Sequence, residues 1–182
     1  MASFDQALAK TLANEGGFFH DPSTGEYAFK GVTIWTLRDL RWPGMIPGGR
    51  EVPATPGEIQ ILRELSDADI SRIYSDRYWY PQQLNSLVDQ DLADKTFDLC
   101  VNLGCAQAGH LFQRALNRLI WPDGVSEDGI IGPLTTSKAN QANAPDLLLK
   151  LRDEAEKFYR KLAQDKPQLA GNLDGWLRRL ET

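Results

Sequence analysis

Glu15 follows Phe4 by 11 positions, three helical turns to within about 20°, so on a helix its carboxyl emerges on the face that carries Phe4, Leu8 and Thr11. That face is otherwise apolar. A carboxyl at the end of a buried stripe, beside the negative pole of its own helix, has its charged form disfavoured, which is what a general acid needs near neutral pH. The competing reading is a partly solvated side chain at a fraying helix end. Gly16-Gly17 let the chain turn sharply beside the carboxyl and add no side-chain wall, so a bulky ligand can approach. The stretch Phe18-Phe19-His20-Asp21-Pro22, continuing to Glu26-Tyr27, supplies aromatic and polar groups within reach.

Other chemistry is thinner. Cys100 and Cys105 are five apart, which on one continuous helix points them about 140° away from each other and argues against a disulfide. Only His20 and His110 accompany these thiols, without CxxC-type spacing, so no metal is expected and the cysteines read as buried packing residues.

Positioning Glu15 takes helices, and the apolar pattern is helical almost throughout. Ser3 with Gln6 reads as a capping box opening a helix from Phe4 to about Asn14, ended by Gly16-Gly17. A short helix is expected from Thr33 to about Leu40, followed by a Pro- and Gly-rich loop from Trp42 to Gly57. Thr55-Pro56-Gly57-Glu58 caps one further helix, and Ser66 with Asp69 caps another that ends at Pro81. Ala93 to Gly104 and Ala108 to Leu119 recur at helical spacing as core helices; Pro133 and Pro145 mark two more, and Trp176, Leu177 and Leu180 close the chain. Apart from a short extended pair around Gly25 to Gly31, no period-2 segment stands out. The expected fold is all-α, divided after Pro81 to Leu87 into an N-terminal lobe, 1–85, and a C-terminal helical lobe, 86–182.

The 182 residues are 42% hydrophobic and 25% charged, an ordinary globular composition, and a chain this long buries about 70% of its surface. The formal net charge of −5 argues against nucleic acid as a partner. No apolar run approaches the roughly 20 residues that cross a bilayer, and MASFDQALAKTLANEGG lacks a basic segment followed by a long apolar stretch. Synthesis in the cytoplasm without a signal peptide is the expectation.

Asn14-Glu15-Gly16-Gly17-Phe18 with Asp21-Pro22, then Gly31-Val32-Thr33, resembles the E-G-G-Y…D-P…G-I-T signature of glycoside hydrolase family 108, prophage-type N-acetylmuramidases, many labelled secretion activators. Ile73-Tyr74 with Arg77-Tyr78-Trp79, and Phe97-Asp98 with Val101-Asn102-Leu103-Gly104, resemble later motifs of that family. Leu111 to Asn117, Asp128-Gly129-Ile130-Ile131-Gly132-Pro133-Leu134-Thr135 and Gly175 to Arg179 are similar to its predicted peptidoglycan-binding segment. The resemblance spans nearly the whole chain and implies a lysozyme-like helical fold of two closely packed lobes. It also implies Glu15 as catalytic acid, peptidoglycan glycan strands as partner, no cofactor, and action in the bacterial periplasm or cell wall after release.

One segment departs from the pattern. The family reads D-P-x-D-x-G-G-x-T before G-I-T, whereas this chain is one residue shorter there. Counting from Glu15, the second acid falls on Thr24 and the threonine on Phe29; counting back from Gly31, they fall on Ser23 and Ala28. Glycoside cleavage needs a proton donor and a second group that supplies or orients a nucleophile. Glu26 is the nearest replacement acid and Asp21 the next, each with a bland reading as a solvated loop charge or a turn residue. Tyr27 and Thr33 complete the residues expected near substrate on this side. Trp79, within Tyr78-Trp79-Tyr80, offers a ring on which a sugar would stack, with core packing as the alternative. Asp98 and Asn102 are four apart and share a helix face, either turned to substrate beside Glu15 or forming an internal polar pair.

The expected activity is that of a lysozyme-type muramidase. Two alternatives remain: a cell-wall-binding or secretion-accessory protein with weakened catalysis, and a cysteine amidase or peptidase pairing Cys100 or Cys105 with His110 or His20. Stereochemistry and oligomeric state stay open at this level.

Overall fold

The computed structural model describes residues 1–22 and 24–181; Ser23, one of the two positions onto which the missing acid falls, lies outside the described residues. Helices dominate: α1 (Phe4–Asn14), α2 (Ile34–Asp39), α3 (Pro56–Arg63), α4 (Asp67–Tyr74), α5 (Gln90–Leu103), α6 (Cys105–Ile120), α7 (Pro133–Gln141), α8 (Ala144–Asp165) and α9 (Leu173–Glu181). Between α1 and α2 runs an antiparallel sheet of β1 (Phe18–Asp21), β2 (Glu26–Phe29) and β3 (Val32–Thr33), in that spatial order. By its internal packing the chain forms two compact units, residues 9–74 and residues 1–8 with 75–182. The expected division at 85/86 falls inside the larger of them.

The helical expectation holds, and the short extended pair expected around Gly25 to Gly31 is present as β2 and β3, with β1 added beside it. Three residues of β1 are exposed and all four of β2 are half-buried, so neither strand shows the apolar-polar alternation that would announce it. In the smaller unit, β2 and β3 are joined by the two-residue turn Lys30-Gly31, whose φ values of 47° and 75° are both left-handed. That is the turn geometry whose twist matches a hairpin. Phe18 pairs with Phe29 and Asp21 with Glu26. Strand alternation therefore sets Phe18, His20, Tyr27 and Phe29 on one face, where His20 stacks on Tyr27 at 4.1 Å and Arg63 lies over Phe18 at 4.2 Å.

Of the capping boxes read from sequence, those at Thr55 and Ser66 form, whereas at α1 the Ser3 amide donates to Gln90 Oε1 at 2.6 Å rather than to Gln6. Thr33 accepts from the Thr36 amide at the start of α2, and Thr55 and Glu58 close a reciprocal box at α3. Ser66 and Asp69 exchange bonds in the same way at α4.

The larger unit is centred on α5, α6 and α8, with Phe97, Phe112, Leu116, Leu147 and Leu151 fully buried. One sequence expectation is corrected here. The helix does not run through Gly104, whose φ of 84° and ψ of 149° end α5 and let α6 start at Cys105. Cys100 and Cys105 therefore do not point away from each other: their thiols share a hydrogen bond across the break, both as free cysteines.

Candidate active site

Glu15 stands one residue past α1, its amide donating to the Leu12 carbonyl at 3.1 Å, with its side chain half-buried. What faces it comes from the far end of the same unit. A Cβ built on Gly31 would stand 2.9 Å from Glu15 Oε2 and 2.2 Å from the Tyr74 hydroxyl, so these two oxygens are no more than about 5 Å apart. Both occupy the space that any side chain at position 31 would need. Tyr74, 1% exposed, donates its hydroxyl proton to the Lys30 carbonyl at 3.0 Å and so ties α4 to the turn on which Gly31 sits. Glu15, the Lys30-Gly31 turn and Tyr74 form one cluster.

The other expected residues of this unit flank it differently. Asp21 and Glu26 pair at the end of the hairpin away from the Lys30-Gly31 turn, about 10 Å of strand from the Phe18–Phe29 end. Thr24, onto which the missing acid falls when counting from Glu15, donates its hydroxyl to Asp21 at 2.9 Å. Tyr27 is half-buried and carries the stacked His20 ring. The Thr33 hydroxyl caps α2 and also bonds the Thr36 hydroxyl at 3.1 Å.

Trp79, Asp98 and Asn102 belong to the larger unit, where their side chains are engaged internally. Trp79 corrects the expectation of a sugar-stacking ring: it is 1% exposed, with Phe4 and Phe97 each 5.6 Å away, so its faces are spent on the core. Asp98 is buried and accepts from Arg179 at 2.9 Å, with Lys95 at 3.9 Å. Asn102 donates to the Tyr159 hydroxyl at 2.6 Å, and Tyr159 stacks on Trp176. Burial pushes the Tyr159 phenol up to about 12, so it stays protonated. Polar partners thus link α5 to α8 and α9. Sequence reasoning missed Tyr74 as a partner of Glu15, although both stood in quoted motifs, because nothing in a linear pattern pairs positions so far apart. Among the described residues, no three His, Cys, Asp or Glu side chains are grouped to hold a metal ion, and no helix is long and apolar enough to cross a membrane.

Residues 8–104 match the family model for Glycosyl hydrolase 108, more than half of the chain. The chain belongs to that family. A second model, Predicted Peptidoglycan domain, matches residues 89–181 of this glycosyl hydrolase 108 member. Its fold is also that of a solved structure, "Structure of Brucella abortus SagA", with a TM-score of 0.76 over 98% of this chain and 89% of that one. The two sequences are 22% identical. No curated protein matches the chain significantly. The two family matches make the protein a glycoside hydrolase directed at peptidoglycan.

Proposed function

We propose that this glycosyl hydrolase 108 member is a lysozyme-type N-acetylmuramidase that uses Glu15 as its general acid. The observation that carries this reading is the Glu15 carboxyl seated over Gly31, in space that any side chain at position 31 would fill. In the proposed step Glu15 protonates the glycosidic oxygen next to N-acetylmuramic acid. A water attacks the anomeric carbon, and its proton passes to a second carboxylate. Glu26 is the proposed second group, with Asp21 beside it. Glu26 starts β2 and the Gly31 turn follows the end of that strand. The scheme uses two carboxyls and water and calls on no cofactor. The place of action is the cell wall, after release of the protein from the cytoplasm.

The test is the release of reducing ends from purified peptidoglycan. The parent protein should release them and Glu15→Gln should fall to background; a variant as active as the parent would remove Glu15 from the mechanism. One observation favours the second reading, a wall-binding or secretion-accessory protein with weakened catalysis. Counting from Glu15, Thr24 stands where the family's acid falls, and it gives its hydroxyl to Asp21. A parent protein that binds peptidoglycan but releases no ends would establish that reading instead.

A further inference from the structure

We infer that Tyr74 is a positioning residue for the Glu15 carboxyl, acting through the Lys30-Gly31 turn; the inference rests on the reading of Glu15 as the acid. Glu15 lies just beyond the end of α1, its amide still bonded to the Leu12 carbonyl at 3.1 Å, and two glycines follow it. Such a side chain is held in part by what its carboxyl meets. It meets the bare Cα of Gly31, with the Tyr74 hydroxyl crowding the same point from α4. The hydroxyl is not adjustable: the ring is 1% exposed, and its proton is given to the Lys30 carbonyl at 3.0 Å. That bond ties the oxygen near Glu15 to the left-handed turn that brings Gly31 under the carboxyl. Losing that oxygen leaves the ring and its packing in place but opens space beside the carboxyl and frees the Lys30 carbonyl. The acid then samples rotamers that do not address the glycosidic oxygen, which lowers turnover without weakening substrate binding.

The deciding experiment measures kcat and KM on soluble, uncross-linked glycan strands for the parent, Tyr74→Phe and Glu15→Gln. Alongside these, the Glu15 carboxyl carbon resonance is followed by NMR at one fixed pH in the parent and Tyr74→Phe. The expected result is an inactive Glu15→Gln, and a Tyr74→Phe with kcat reduced about tenfold, KM within twofold, and a displaced Glu15 resonance. Parental kcat in Tyr74→Phe beside an inactive Glu15→Gln overturns the positioning role and leaves the acid in place; a change confined to KM also overturns it. If Glu15→Gln stays active, the acid assignment fails, and an unmoved carboxyl resonance then overturns the contact as well. Glu15→Asp probes the same contact from the surface side and guards against a poorly folded Tyr74→Phe. Shortening the acid withdraws it from Tyr74, so Tyr74→Phe should cost little more in that background, and full additivity counts against the proposal.

Discussion

Gly31 is constrained twice, by a φ of 75° and by a Cβ position lying 2.2 Å from the Tyr74 hydroxyl and 2.9 Å from Glu15 Oε2. Gly31→Ala should therefore do more than strain a turn. The left-handed backbone alone costs an L-residue about 1 to 2 kcal/mol, and the new methyl must displace Tyr74, Glu15 or both. We expect a lower urea midpoint together with loss of most reducing-end release. A stable and fully active Gly31→Ala would show that the carboxyl has other room. The position of Glu15 just past α1 was legible, because Gly16-Gly17 stop the helix where the sequence says they should. Its neighbours were not, since the Tyr74 contact depends on a hairpin whose strands carry no alternating pattern. The cysteines make the same point. Cys100 is fully buried, and its thiol is pushed up by its bond to Cys105 and by burial, whereas Cys105, half-buried, is held down chiefly by that same bond. A thiol reagent should label Cys105 first and leave Cys100 until the protein unfolds, as mass spectrometry of digested samples would show.

At the scale of elements, the long loop between α2 and α3 is held by an ion pair that no spacing rule pointed to. Arg38 and Glu58, both buried, meet through Nη2 and Oε2 at 2.7 Å, and Nε donates to Oε1 at the same distance. The remaining capacity of the pair is spent on the loop. Arg38 donates to the carbonyls of Gly49, Val52 and Pro53, while Glu58 accepts from the amides of Ile46 and Thr55. The capping box at Thr55 and Glu58 was legible; the arginine that turns the same glutamate into a loop anchor was not. The Arg38 hydrogen bonds hold the Glu58 carboxyl down at about 2, against an ordinary 4.5. A lowered carboxyl value favours the folded state while the group is charged. Its contribution is whole above about pH 4.5 and is lost progressively as the pH falls toward 2. Unfolding midpoints in urea should decline across that window, and Glu58→Gln should flatten the decline. The substitution should also cost about 3 kcal/mol at neutral pH by leaving the Arg38 charge buried without its partner, and should expose the 42–55 loop to proteases. A variant with parental stability at pH 7 would show that water replaces the carboxylate without penalty.

For the whole molecule, sequence order and compact units do not coincide, because α1 begins in one unit and ends in the other. The sequence points to a boundary at 85/86, since Pro81 ends a helical stretch and helical spacing resumes by Ala93. Packing instead groups the chain's first residues with everything after Tyr74. That grouping has a functional consequence. The whole peptidoglycan-domain match, residues 89–181, lies in the larger unit, while Glu15, Gly31 and Tyr74 all lie in the smaller. On the proposed reading, capture of the polymer falls to the larger unit and cleavage of its glycan bond to the smaller, and single substitutions should separate them. Glu15→Gln should co-sediment with insoluble peptidoglycan as completely as the parent while releasing no reducing ends. Arg179→Ala should do the opposite by a different route: it removes the 2.9 Å partner of the buried Asp98 and disturbs the α5–α9 packing within the larger unit. It should lower sedimentation and stability together, by about 2 to 4 kcal/mol for the latter, without touching Glu15. If Glu15→Gln instead lost its hold on the polymer, the smaller unit would be the one that grips substrate, and the C-terminal match would need another role.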